Sequence, residues 1–279
     1  MSADATPDDD LPAWSEPFHG DGPGAAPDLG LDHPITREWA YGDGSGRGVR
    51  LAVVDSGVDG THPLVGGVAE YVDVVRDPEA DEGIRFELGE HDDLYGHGTA
   101  CAAIVRSLAP EVEIVSVRVL GADLKGSAFN FAHGLDWCLE HGVRVANLSL
   151  STSNDKYAET FHEIVDDATF ARMLLVSAMN NERKRTIPSE YAGVFSVACA
   201  PGTDREQVWC NPNGPAEWGA AGVDVDIAWN AHGSITATGN SFAAPVVAGH
   251  LARIVGAHPE LTVWQARTVL AAVAANAAL

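Results

Sequence analysis

A chain of 279 residues and 29.3 kDa can hold one large α/β domain with a substantial buried core. Its formal charge of −23, from 40 acidic against 17 basic residues, repels nucleic acid and anionic membrane surfaces, so neither is expected as a partner. Hydrophobic residues make up 46% of the chain, and no apolar run approaches the roughly 18 to 20 residues that span a bilayer.

The opening residues MSADATPDDD carry acids where an export signal carries basic and then apolar residues, so a cytoplasmic location is expected. Residues 1–30 combine five prolines, four glycines and the run Asp8-Asp9-Asp10, a composition that cannot offset its own ordering entropy. They are predicted to form a flexible acidic arm ahead of a single domain over 31–279. Cys101, Cys138, Cys199 and Cys210 show no CxxC pairing and are expected to be free thiols, with a Cys199–Cys210 bridge across a hairpin as the alternative. The glycine-rich GDGSGRG at 42–48 leads into a strand and lacks the Lys-Ser/Thr and helix of a phosphate loop, so it reads as a surface turn.

From Val49 onward, short β-branched runs alternate with segments of helical period. The first strand is LAVVD (51–55), followed by an acidic stretch with Asp77, Glu79, Asp81, Glu82, Glu90, Asp92 and Asp93, read as a solvated loop rather than a metal site. Next come a helix in HGTACAAIVRSLA (97–109), a strand in VEIVSVRVL (112–120), a helix in SAFNFAHGLDWCLEHG (127–142) and a strand in VRVANLSL (143–150). A helix through 156–170 and a strand in MLLVSA (173–178) follow, then strands in VFSVACA and VDVDIAW and helices over 241–255 and TVWQARTVLAAVAAN. Such alternation implies right-handed crossovers, hence a three-layer α/β/α sandwich with a mainly parallel central sheet.

Three residues stand where such a fold concentrates chemistry. Asp55 closes the first strand, and the carboxyl ends of strands are where open α/β sheets bind ligands. His97 sits in Tyr95-Gly96-His97-Gly98-Thr99 at a helix start, and Ser241 opens another helix in GNSFAAP, with Pro245 expected in its first turn. A serine hydroxyl is a weak nucleophile until a neutral imidazole takes its proton, and that imidazole needs a buried carboxylate to hold its tautomer. Each residue alone has an ordinary structural use as a turn cap, core histidine or helix cap; their joint occurrence in this order points to a triad.

The segments VVDSGVDGTHP, GHGTACAAIV, NLSLS and GNSFAAPVVAG resemble the acid, histidine, substrate-strand and serine motifs of the subtilisin-like serine peptidases, in the same chain order. The resemblance extends over roughly 33–275. It implies a serine endopeptidase acting on peptide or protein substrates through an acyl-enzyme, without a cofactor and as a monomer. Catalytic roles fall on Asp55, His97 and Ser241, and aligning SAMNNE with the family's oxyanion segment selects Asn181. Substrate pairing falls on Ser149, Leu150 and Ser151 on one side and Leu124, Lys125 and Gly126 on the other.

Several positions depart from the family pattern. Asn240 replaces a usual threonine and Asn180 a glycine, neither removing a catalytic group, while Ser151 in place of a pocket glycine and Ala128 in place of an aromatic imply restricted specificity. Arg183, Lys184 and Arg185 either face water or favour an acidic side chain before the cleaved bond. The helix after His97 runs through without the family's common calcium-loop insertion, so no metal is expected. Trp14 and Phe18 allow the arm to be imagined in the cleft, against the plainer reading of a mobile tail. A ligase or macrocyclase using the same triad, and a peptide-binding domain without turnover, are the rival functions.

Overall fold

Short runs of Val, Ile, Leu and Ala that bury both faces set the architecture. In the computed structural model, which describes residues 34–211 and 213–277, β1 (Arg50–Asp55) lies between β4 (Glu113–Arg118) and β5 (Val145–Leu148), parallel to both. The sheet continues through β6 (Leu174–Ala178), β7 (Phe195–Ala200), β9 (Trp218–Ala221) and β8 (Val208–Cys210) on one side, and β2 (Glu70–Arg76) and β3 (Ile84–Leu88) on the other. Its order is β3-β2-β4-β1-β5-β6-β7-β9-β8, with only the edge strands β3 and β8 antiparallel to their neighbours.

Strand side chains alternate between faces. Ala52, Val54, Val115, Val117, Ala146 and Leu148 pack in one core with Phe131, Leu135 and Phe161 from α3 (Ala128–Glu140) and α4 (Ala158–Phe170). The intervening residues Leu51, Val53, Ile114, Val145 and Leu174 are fully buried as well. They face the other layer, where α2 (His97–Leu108) and α5 (Asn240–Ala257) lie against each other and the sheet. This is the expected three-layer α/β/α arrangement. Thirteen of the 18 residues of α5 are buried, so that helix is apolar all round rather than amphipathic. Its Gly249 lets α2 approach: an added Cβ would lie 3.0 Å from Leu108 Cβ. A larger side chain there would drive apart the two helices that carry His97 and Ser241.

Two expectations need correction. The acidic segment after β1 is not simply a loop, because β2 and β3 form a hairpin in which Val72, Val74 and Ile84 point into the core while acids between them face outward. VDVDIAW yields β10 (Val225–Trp229), which pairs with β11 (Gly233–Ala237) in a separate two-stranded ribbon instead of joining the main sheet. The 42–48 segment is a turn between the short α1 (Arg37–Tyr41) and β1; the last helix is α6 (Val263–Ala272).

All four cysteines are free. Cys199 pairs with Ala220 and Cys210 with Trp218, so β9 runs between them. Two strand spacings, roughly 9 to 10 Å, exceed what a disulfide bridges. No helix among the described residues is long and apolar enough to cross a membrane. These elements lie in the compact unit beginning at Thr36; the arm expected over 1–30, with Trp14 and Phe18, lies outside the described residues.

Candidate active site

Asp55, the last residue of β1, is 0% exposed, and both of its carboxylate oxygens lie 2.9 Å from His97 Nδ1. A carboxylate only accepts, so Nδ1 carries the proton and the neutral ring keeps a lone pair on Nε2. Burial alone would lower the His97 pKa, but the Asp55 charge, its hydrogen bond and the nearby Asp93 charge outweigh it and raise the pKa above the ordinary 6.5. Gly98 makes this approach possible: a Cβ there would run into the Gly57 carbonyl and sit 3.1 Å from Asp55 Cβ.

Asp93 organises the same junction, a role not visible while it was read as one of a run of solvated acids. Gly96, the residue before α2, has φ 109° and no side chain with which to cap the helix. Asp93 does so from outside: Oδ2 accepts from Thr99 N (2.8 Å) and Thr99 Oγ1 (2.6 Å). Its Oδ1 accepts from Ser56 Oγ (2.7 Å), Tyr95 N (3.0 Å) and Gly96 N (2.8 Å). One carboxylate thereby ties the residue after Asp55 to the first turn after His97.

An Asp93→Asn variant turns an NH2 toward the Thr99 donors. Loss of this cap is expected to cost about 1 to 2 kcal/mol, a few degrees in Tm, and the loosened imidazole about 10- to 100-fold in kcat. Thermal melts and steady-state rates on peptide substrates check both. Unchanged values would mean that Asp93 does no positioning.

Ser241 is the second residue of α5, so its N–H belongs to the first turn, whose donors have no partner within the helix. Pro245 falls in the second turn, not the first as expected. It removes the N–H that would bond the Ser241 carbonyl. That carbonyl instead accepts from Ser149 Oγ (2.7 Å) and lies 3.7 Å from Cys101 Sγ, while Asn147 Nδ2 donates to Ser149 Oγ (3.0 Å). Burial raises the Cys101 pKa well above its ordinary value and keeps the thiol protonated. Asp55, His97 and Cys101 form the one group with metal-ligand spacing among the described residues. A protonated thiol and an imidazole engaged by the carboxylate leave that group poorly suited to a metal.

His97 and Ser241 line one cleft of about 500 Å³ together with Asn181, Leu124, Leu150 and Ser151. The His97 and Phe242 ring centroids are 5.4 Å apart, which places the start of α5 beside the imidazole. Among the described hydrogen bonds none yet joins the Ser241 hydroxyl to His97; such bonds commonly tighten when substrate arrives. Asn181 Oδ1 accepts from the Asn240 N–H at 2.9 Å, which leaves its Nδ2 donors for the cleft. The residues expected to pair with substrate divide. Leu124, Leu150 and Ser151 line the cleft, as does Ser149, whose hydroxyl turns inward to Ser241. Lys125 and Gly126 line an adjoining depression of about 290 Å³ that shares Leu124, Leu150 and Ser151 with the cleft.

Of the cationic run, Lys184 reaches the cleft wall but pairs with Glu182, and Arg185 lies 3.5 Å from Glu190 while 80% exposed. In the acidic segment Asp77 is held by Arg85, and both Asp93 oxygens are occupied.

Comparison with known proteins places the chain and its fold in a family. A sequence profile of the subtilase family matches residues 46–278. Subtilisin BL of Lederbergia lenta is 30% identical over 239 residues, covering 81% of this chain and 83% of its own. A subtilisin-like protease of Coccidioides posadasii is 29% identical over 227 residues; the match covers 76% of this chain and 54% of that longer protein. Among solved structures, a cold-adapted subtilisin-like serine proteinase superposes with a TM-score of 0.65 at 26% identity, covering 81% of this chain and 82% of its own.

Proposed function

Because this chain belongs to the subtilase family of serine endopeptidases, we propose that it hydrolyses peptide bonds in extended polypeptide segments, with Ser241 as nucleophile, His97 as base and Asp55 as the carboxylate that orients it. The observation that carries this reading is the Asp55–His97 pair, opening on a cleft that Ser241 and Asn181 also line. Attack by Ser241 Oγ on the scissile carbonyl passes its proton to His97 Nε2. The resulting imidazolium is stabilised by Asp55 and then protonates the leaving amine. Asn181 Nδ2 and the Ser241 N–H hold the oxyanion, and water releases the acyl group by the reverse sequence.

Residues 149–151 and 124–126 flank the substrate as strand partners, which favours loops and unfolded segments over compact structure. Labelling by a fluorophosphonate probe that is lost in Ser241→Ala, together with product masses showing water rather than amine addition, tests hydrolysis against ligation and against a domain without turnover. Four unpaired thiols are compatible with a reducing compartment such as the cytoplasm.

Specificity before the scissile bond follows from the cleft wall. Leu120, Leu150, Ala178 and Met179 supply apolar surface, and the Lys184 charge is answered by Glu182. Peptides with Leu at that position are expected to turn over at least about tenfold faster in kcat/KM than matched peptides with Asp or Lys, whose charges would be desolvated without a dedicated partner. Equal or faster cleavage after Asp would instead assign Lys184 and Arg183 as its receptors.

A further inference from the structure

We infer that Asn240, immediately before the nucleophile, is a positioning residue that holds the Asn181 amide in the arrangement oxyanion binding requires; the inference rests on the peptidase reading above. Its backbone N–H is one of the orphan donors at the start of α5 and is accepted by Asn181 Oδ1 at 2.9 Å. Since only the amide oxygen can accept that bond, it also decides which end of the Asn181 side chain is left to donate. The Asn240 side chain fixes the same corner from the other side. Its Oδ1 accepts from Cys199 N on β7 at 2.8 Å, and its Nδ2 donates to the Met179 and Asn180 carbonyls after β6 at 3.1 and 3.3 Å.

One residue therefore joins three separate segments: the helix bearing Ser241, the strand beyond it, and the loop bearing Asn181. The threonine usual at this position in the resemblance has a single hydroxyl donor, and one hydroxyl cannot take the β7 N–H and also satisfy two carbonyls. Asparagine substitutes a bridge of three side-chain hydrogen bonds.

Asn240→Ala and Asn240→Thr in the full chain test the assignment. Expected for Asn240→Ala is a loss of about 100-fold in kcat, with KM within about threefold of wild type because the contact matters chiefly in the transition state. A peptide aldehyde, whose adduct places an oxyanion between Asn181 and the Ser241 N–H, should bind more weakly in step with kcat/KM, while a cleaved product peptide binds as before. If Asn240 acts through Asn181, the double variant Asn181→Ala/Asn240→Ala should be no slower than Asn181→Ala alone.

Losses that multiply in the double variant, or an unchanged kcat in Asn240→Ala, overturn the inference. Should the alanine variant fail to fold, Asn240→Thr decides by the same aldehyde and product comparison, since it retains one hydrogen bond of the bridge. A wild type that neither cleaves peptides nor reacts with a fluorophosphonate defeats the peptidase reading. An active wild type with unaffected Asn240 variants defeats this inference alone.

Discussion

Ser241→Ala is expected to lower kcat by about 10⁶, the size of loss established for the nucleophile of a member of the same family, while leaving the fold intact. The hydroxyl makes none of the described hydrogen bonds; the carbonyl of the same residue carries the structural contacts to Ser149 and Cys101. Removing Oγ therefore deletes the nucleophile without loosening α5. The residual rate, on the order of 10³ above water, should persist because Asn181 and the Ser241 N–H still polarise a bound carbonyl. Steady-state rates with a melt on the same sample read both quantities. A variant that retains even a tenth of wild-type turnover would remove Ser241 from the chemistry.

Asp55→Asn should cost about 10⁴ in kcat, and its pH profile should move in a definite direction. In the wild type the groups facing His97 are Asp55 at the end of β1, Asp93 in the preceding loop and Cys101 one turn along α2, with Glu182 and Lys184 on the cleft wall. Burial lowers the imidazole pKa, and the carboxylates raise it by more. Only the neutral ring accepts the Ser241 proton, so wild-type kcat/KM should rise with pH to a midpoint above 6.5.

With the Asp55 charge gone, burial remains and the midpoint should fall. The rate stays low even above it, since an amide NH2 facing Nδ1 favours the tautomer with its proton on Nε2. Stability runs the opposite way. A histidine pKa raised by folding stabilises the native state fully below the unfolded value, and that contribution is lost as pH rises through the folded value. The wild type should therefore exceed Asp55→Asn in Tm by most at acidic pH, where turnover is least. A midpoint that stays put, or moves upward, would show that Asp55 does not set His97 basicity.

Much of the layered fold was legible from period alone, because central parallel strands such as LAVVD and MLLVSA are mostly apolar and buried along their length and the helices between them have length and stripe enough to be recognised. The β2–β3 hairpin was hidden, since its alternating valines are interleaved with Asp73, Arg85 and Glu87 and so read as a charged loop. The very short β8 and β9 were also missed, and β10 was not separable from a main-sheet strand until its antiparallel partner was seen.

The catalytic candidates stood out because chemistry demands particular functional groups at particular chain positions: an acid at a strand end, an imidazole and a hydroxyl at helix starts. Their supporting groups left no such trace. Asp93 resembles its acidic neighbours, Asn240 looked like a mere departure from a motif, and a strand reading of Ser149 says nothing of its hydroxyl, which bonds the Ser241 carbonyl.

The amino-acid sequence by itself determined the order of the central strands and their crossover helices, the kind of sheet and the candidate reactive groups, since these depend on local periodicity and side-chain chemistry. Only the tertiary structure decided which polar groups spend their hydrogen bonds on one another and which remain free for a substrate. That allocation depends on distances between segments tens to hundreds of residues apart, such as Asp55 and His97 or Asn181 and Asn240, and no local pattern encodes it.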